Sequence, residues 1–565
     1  MDDAVSFDAN AEAFLFRSLK TKALCLAPTR AEVLFSVLSA ALLVLAFPDF
    51  NLWPLAWVGL VPLMVAVARS RNQWRALITG WLAGTIFFYG SCYWITYAMI
   101  RYGGIPAWIA YPLLLPATVA VGFFPALFCL LIFRFTARWG ARAIFFAPLI
   151  WAALEWTRLM TTGQLWNAIG YSQAYAPALI QTARWGGVYM VGFFIVLANS
   201  ALAYAVVVKT KQALKFTAAT FVLIALSICI SLVIANKESS YQIEHGSKAA
   251  VVIAVQPNVP MEPVSSTEET QELVKRHVAL SENALNKWRQ GQTEDGALRS
   301  PEEPRANLPS IIIWPESPMN FSYAREIAFQ EFVADFAKRN HASVLFNSQE
   351  PAPAGGSYNS AVMVNEEGRL VAQYDKIRLL PFGEYVPLPR WLPGASLIPT
   401  MVGDFTPGAQ YTLMPLGAAR AGVFICFESA FPSVARKFTA DGADVLINIS
   451  NDGYLGRTAV MRQHLANAVF RAVENNRPIL RVTNSGISAY ITEDGRVISP
   501  TEGFQPAAQT WTVSRAHANK TFYTKHGDIF VYLCAIASIL LLIFSMRRIQ
   551  KSGVRIKNNR LHSGF

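Results

Sequence analysis

The chain is 565 residues long, 53% hydrophobic and only 15% charged, with a mean hydropathy of +0.31, which excludes an ordinary soluble protein of several domains. Its net charge of +12 invites a nucleic-acid reading, but residues 236–527 hold 27 Lys and Arg against 29 Asp and Glu with no basic cluster, which excludes that class. The excess belongs to the apolar remainder of the chain.

The N-terminal stretch MDDAVSFDANAEAF is acidic where a secretory leader would be basic, and no small-residue cleavage pattern follows, so it is expected to be retained. Apolar runs long enough to cross a hydrocarbon layer of roughly 30 Å then fall near 31–48, 52–68, 77–99, 107–133, 143–157, 187–208 and 216–235, with a last one at 529–546. The run at 143–157 is the weakest, because it is short and ends near Glu155 and Arg158, which are expected at the outer interface. Outside 236–527, 19 of 22 basic residues follow or precede alternate runs, and only Arg101, Arg158 and Arg184 fall in the other loops. Positive residues stay on the cytoplasmic side of a membrane. The pattern predicts a cytoplasmic N-terminus, an odd number of spans before residue 236, and export of 236–527. The expected units are an N-terminal transmembrane bundle (1–235, about seven spans), an exported domain (236–527), and a C-terminal span with a basic cytoplasmic tail (528–565).

After Lys237 the texture changes to short β-branched runs separated by polar helical stretches. Strands are expected at 249–255, 310–314, 343–347, 359–364, 369–374, 420–425, 443–449, 478–483 and 487–492. Amphipathic helices are expected at 266–290, 323–340, 430–440 and 458–475, which makes this block α/β. Residues 291–308 read as a surface loop, and 380–408, rich in Pro, Gly and large apolar residues, as a lid touching lipid.

Three segments each close a strand with an ionisable or nucleophilic residue: Trp314-Pro315-Glu316-Ser317, Tyr374-Asp375-Lys376, and the run Gly422 to Ser429 around Cys426. Cys426 is the one cysteine of the exported block, so it has no internal disulfide partner there and is either a buried structural thiol or one held for its chemistry. A free thiol near pKa 8.5 is mostly protonated at neutral pH. A strand-to-helix turn at Cys426 would help form the thiolate and its N–H groups could hold an oxyanion. Glu316, leaving an apolar strand, would be partly desolvated and suited to a general base, and Lys376 could stabilise a tetrahedral intermediate. Each residue also has an ordinary reading: a solvated carboxylate at a strand end, a surface lysine, a core cysteine.

The order Glu, Lys, Cys, each closing a strand of one α/β block, resembles the nitrilase (carbon–nitrogen hydrolase) superfamily over most of 249–515. The runs Trp314-Pro315-Glu316-Ser317, Tyr374 to Pro387, Ile425 to Ser429 and Asn448 to Gly453 resemble its apolipoprotein N-acyltransferase branch. So do Phe47-Pro48, Leu52 to Ala56, Trp74 to Trp94, Trp151 with Glu155-Trp156, and Gly170-Tyr171-Ser172-Gln173 in the apolar half. The resemblance implies a polytopic α-helical membrane protein of about eight spans joined to an α/β nitrilase-like periplasmic domain, an α-β-β-α sandwich, in a bacterial inner membrane. It implies Glu316 as base, Lys376 as oxyanion-stabilising cation and Cys426 as nucleophile, with Glu384, Glu428 and Asn359 in support. Substrate or lid contacts would come from Trp391, Leu392, Phe427, Tyr454 and Leu455. Phe427 stands where the family usually has Tyr, Tyr454-Leu455 where it has Trp-Phe, and the family's frequent Phe-Pro before Trp166 is missing. The implied partners are a phospholipid acyl donor, a diacylated apolipoprotein acceptor and the bilayer, for a monomer with no nucleic acid and no cofactor. The histidines show no metal-ligand spacing, so no metal is expected. A membrane-tethered amidase and a transporter with a sensory domain are the competing classes. Few charges within the spans and no evident inverted repeat speak against the transporter.

Overall fold

The computed structural model describes residues 27–261, 267–291, 308–316, 319–353, 355–386, 404–516 and 519–552. The apolar half is helical: α1 (Arg30–Ala46), α2 (Val61–Arg69), α3 (Gln73–Cys92), α4 (Ile95–Arg101), α5 (Ala107–Trp139), α6 (Ala147–Thr162), α7 (Ala183–Val208) and α8 (Lys211–His245). Each of the seven runs expected there falls on helix. The run 52–68 is interrupted, because Pro54 and Pro62 start new helical turns and Asn199 reaches in at the break. Its side chain accepts from Leu60 N at 2.8 Å and donates to Ala56 O at 2.9 Å. Such a side chain satisfies backbone groups that the break in the helix leaves open. Among the described residues, five helical stretches are long and apolar enough to cross a membrane: Ala107–Trp139, Ala141–Thr162, Ala183–Val208, Lys211–Gln242 and Ile529–Met546.

Glu155 and Arg158 are buried within protein. Glu155 Oε1 accepts from Trp151 Nε1 at 2.9 Å and Ile169 N at 2.7 Å, and Arg158 Nη1 donates to Trp166 O at 2.8 Å. Glu155 Oε1 and Arg158 Nη1 thus tie α6 to the loop that follows it.

The other half is built from two six-stranded sheets. The first has the order β12-β1-β2-β3-β4-β5, from β1 (Lys248–Gln256), β2 (Ser310–Ile313), β3 (Ala342–Pro351), β4 (Ser357–Val364), β5 (Leu370–Asp375) and β12 (Ala507–Ser514). The second has the order β11-β10-β9-β8-β7-β6, from β6 (Leu413–Leu416), β7 (Ala419–Ile425), β8 (Val445–Ser450), β9 (Ile479–Thr483), β10 (Ala489–Ile491) and β11 (Val497–Ile498). Helices α9 (Thr267–Arg289) and α10 (Ile327–Asn340) cover the outer face of the first sheet, and α11 (Pro432–Ala440) and α12 (Val460–Asn475) that of the second. The result is an α-β-β-α sandwich. Alternation along the strands builds it: Val251, Ile253, Val255, Ile312, Val344 and Phe346 face Leu285, Val333 and Phe336, while Val252, Ile311, Ile313 and Leu345 face the second sheet. A last helix, α13 (Ile529–Ser552), packs against α6.

Strands β6, β11 and β12 went unread in the sequence. β6 and β11 are 4 and 2 residues long. β12 is half-buried along most of its length, so its sequence carries a weak apolar signal.

The two halves share one apolar core. Their junction is α12: Gln463 Oε1 accepts from Trp94 Nε1 at 3.1 Å and Trp166 Nε1 at 2.8 Å, and its Nε2 donates to Ser91 O at 3.0 Å. Val188 N, beside the Gly186–Gly187 kink of α7, donates to Glu474 Oε1 at 2.9 Å.

Candidate active site

Strands β2 and β5 of the first sheet and β7 of the second deliver Glu316, Lys376 and Cys426 to a common point. Lys376 is 1% exposed. Its Nζ lies 2.9 Å from Glu384 Oε1 and 3.7 Å from Glu316 Oε1. Burial opposes its charge, and the carboxylates of Glu384 and Glu316 overcome that penalty, so its pKa is raised above the ordinary lysine value.

Asn359 ties the two carboxylates together. Its Nδ2 donates to Glu316 Oε1 at 3.0 Å and Glu384 Oε1 at 2.7 Å, its Oδ1 accepts from Asn347 at 2.7 Å, and its backbone carbonyl accepts from Lys376 N at 2.8 Å. Glu384 Oε2 accepts from Leu380 N at 2.8 Å, which closes the turn that carries it.

Cys426 is half-buried and sits at φ +51, a conformation that favours glycine. A five-residue 3-10 helix, Cys426–Ala430, follows at once and α11 begins only at Pro432. The expected activation by a strand-to-helix turn is corrected accordingly. Burial pushes the thiol pKa up, and Glu316 pushes it further, against an opposing pull from Lys376. The low-dielectric surround and the nearby carboxylate thus both disfavour the thiolate.

Glu428 lies behind the nucleophile and braces two loops at once. Its Oε1 accepts from Tyr374 OH at 2.8 Å, Ile377 N at 2.9 Å and Arg378 N at 3.0 Å, and its Oε2 accepts from Ile425 N at 2.8 Å. Burial raises its pKa while these donors hold it down.

Phe427 is stacked on Trp166, and Tyr454 meets Tyr102 with ring centroids 6.1 Å apart, so both lie against the helical half. Burial and then the charge of Glu316 raise the Tyr454 phenol, which places it within the field of the site. Leu455 is half-buried against the shared core. Trp391 and Leu392 lie outside the described residues.

Sequence reasoning missed a buried cluster at the end of β8. His464 Nδ1 is 2.7 Å from Asp452 Oδ1, and Arg481 Nη2 is 2.9 Å from Asp452 Oδ2. Opposing its burial, Arg481 and then His464 lower the Asp452 carboxyl to about 2. The run Asn448 to Gly453 was visible as a motif, but His464 and Arg481 come from other elements and only folding brings them to it.

The family model described as "Apolipoprotein N-acyltransferase N-terminal domain" matches residues 39–201, and that described as "Carbon-nitrogen hydrolase" matches residues 255–518. The apolipoprotein N-acyltransferase of Geobacter metallireducens is 29% identical over 525 residues, covering 92% of this chain and 96% of its own. That of Allorhizobium ampelinum is 30% identical over 501 residues, covering 86% of this chain and 87% of its own. Among solved structures, an amidase from Nesterenkonia sp. is similar over 51% of this chain and 96% of its own, at 16% identity and a TM-score of 0.35. The chain, apolar helices and nitrilase-like sandwich together, belongs to the apolipoprotein N-acyltransferase family, acyltransferases of the carbon–nitrogen hydrolase superfamily.

Proposed function

We propose that this protein moves a fatty acyl group from a membrane phospholipid to the α-amino group of the diacylglyceryl cysteine that opens an apolipoprotein. The supporting observation is the convergence of Glu316, Lys376 and Cys426 in a domain packed against apolar helices. The names of the relatives point to the same acceptor.

The reaction runs in two halves. Cys426 Sγ attacks the ester carbonyl while Glu316 takes the thiol proton, and the cation on Lys376 faces the developing oxyanion. The C–O bond breaks, the lysophospholipid alcohol leaves with the proton from Glu316, and a thioester remains. The lipoprotein amine then attacks the thioester, Glu316 takes a proton from nitrogen, and the thiol is restored as the amide forms. Asn359 and Glu384 hold Glu316 and Lys376 in place, and Glu428 holds the loops that carry Lys376 and Cys426.

Both substrates are anchored in the outer leaflet, which gives the fusion its physical sense. We place about seven spans before residue 236 and one at 529–546, with 236–527 in the periplasm of a bacterial inner membrane, working as a monomer without cofactor. The segment 380–408, with Trp391 and Leu392, would be the lid, and Phe427, Tyr454 and Leu455 would contact the acyl chain.

Incubation with phospholipid alone followed by mass spectrometry tests the reading. One fatty acyl group is expected on the peptide containing Cys426, removable by neutral hydroxylamine, absent in Cys426→Ala and cleared by a diacylated lipopeptide with ping-pong kinetics. Undiminished transfer in Cys426→Ala, or hydrolysis of soluble amides without use of phospholipid, would overturn it.

A further inference from the structure

The left-handed backbone at Cys426 is strained for a non-glycine residue and persists only where its surroundings enforce it. The carbonyl of this residue is held by two side chains. The Cys426 carbonyl oxygen lies 3.0 Å from His464 Nε2 and 3.5 Å from Asn448 Nδ2. A carbonyl oxygen only accepts, so His464 Nε2 carries a hydrogen and donates it.

The other side of the imidazole is anchored. Its Nδ1 lies 2.7 Å from Asp452 Oδ1 and 3.1 Å from Arg481 Nη2, and Arg481 also donates to Asn448 Oδ1. His464, Asp452 and Arg481 are 3% exposed or less, and the Trp166 ring packs against the imidazole at 5.6 Å. The helix that carries His464 is fixed as well, since its neighbour Gln463 bonds Trp94, Trp166 and the Ser91 carbonyl.

We propose that His464 is a positioning residue: its Nε2–H, anchored by Asp452, Arg481 and Trp166, fixes the Cys426 carbonyl and with it the left-handed turn that aims the thiol at Glu316 and Lys376. The proposal rests on Cys426 being the nucleophile. It assigns His464 no proton transfer. A misplaced thiol slows attack even when every group of the site is present, because acyl transfer needs the reacting atoms in near-attack geometry.

Gln and Met have nearly the same length and volume and differ in the N–H donor, so His464→Gln and His464→Met separate the hydrogen bond from packing. The full-length variants in detergent, given phospholipid alone, are compared by single-turnover rate of thioester formation and by the final fraction of Cys426 acylated. His464→Met is expected to acylate roughly 10²-fold more slowly than wild type, as geometric misplacement does, while reaching the same final fraction. His464→Gln is expected to recover at least about tenfold of that loss. Equal rates in the two variants, or a lower final fraction with an unchanged rate per acylated site, would overturn the proposal. Absence of any adduct at Cys426 in the wild-type protein would instead overturn the nucleophile itself.

Discussion

The indole of Trp166 lies nearly parallel to the ring of Phe427, with centroids 5.9 Å apart and planes 15° from each other. A residue from the helical half thus covers the side chain next to Cys426, and the same indole donates to Gln463 Oε1. Trp166→Phe keeps a ring but loses the donor, and Trp166→Ala loses both. Thermal unfolding in detergent should show a loss of about 3–5 kcal/mol more for Ala than for Phe, as emptying a buried aromatic site does, with thioester formation slowed in the same order. Wild-type stability and rate in Trp166→Ala would show that the two halves are not coupled through this contact.

Glu384→Gln should expose how Lys376 keeps its charge. Burial lowers the Lys376 pKa and Glu384 is the foremost of the groups that raise it, so its removal brings the value down. A lysine whose folded pKa is raised contributes stability that is fully present below its unfolded pKa and is lost as pH rises through its folded pKa. The variant forfeits that contribution, and its activity should decline at lower alkaline pH than the wild type does. The check is thioester formation from neutral to alkaline pH, and superimposable alkaline limbs would refute the assignment.

Glu428→Gln preserves shape but offers one acceptor oxygen where there were two. With the oxygen turned toward Tyr374, Ile377 and Arg378, an amide NH₂ meets the Ile425 N–H that Glu428 Oε2 now accepts from. A buried donor left unpaired costs about 1–3 kcal/mol. Because Ile425 precedes the nucleophile, activity should fall along with the melting temperature. Denaturation followed beside acylation rate measures both, and a variant as stable as wild type would contradict the bracing role.

Topology can be mapped independently of catalysis. The 19 to 3 division of flanking basic residues predicts that thiol labels or reporters near residues 70, 138, 211 and 555 report cytoplasm and one near 300 reports periplasm. A cytoplasmic signal at 300 would put both lipid substrates on the wrong side of the bilayer for the proposed reaction.

The apolar runs and the buried strands were legible because each is a local property. A lipid-facing helix must be apolar along its length, and strands such as β1 and β8, buried on both faces, must be apolar without interruption. Glu316, Lys376 and Cys426 were legible for a related reason: each ends a recognisable strand within a motif. The positive φ at Cys426, the rise in its thiol pKa and the 3-10 turn after it were not, since they depend on neighbours far away in sequence. His464 joins the carbonyl of a residue 38 positions earlier, and Gln463 joins Ser91 across 372 positions. Composition and periodicity record which face of an element is buried. Which polar groups meet inside is decided only when sheets and helices close on one another, because a buried hydrogen bond is set by the position of both partners and no local pattern encodes the second.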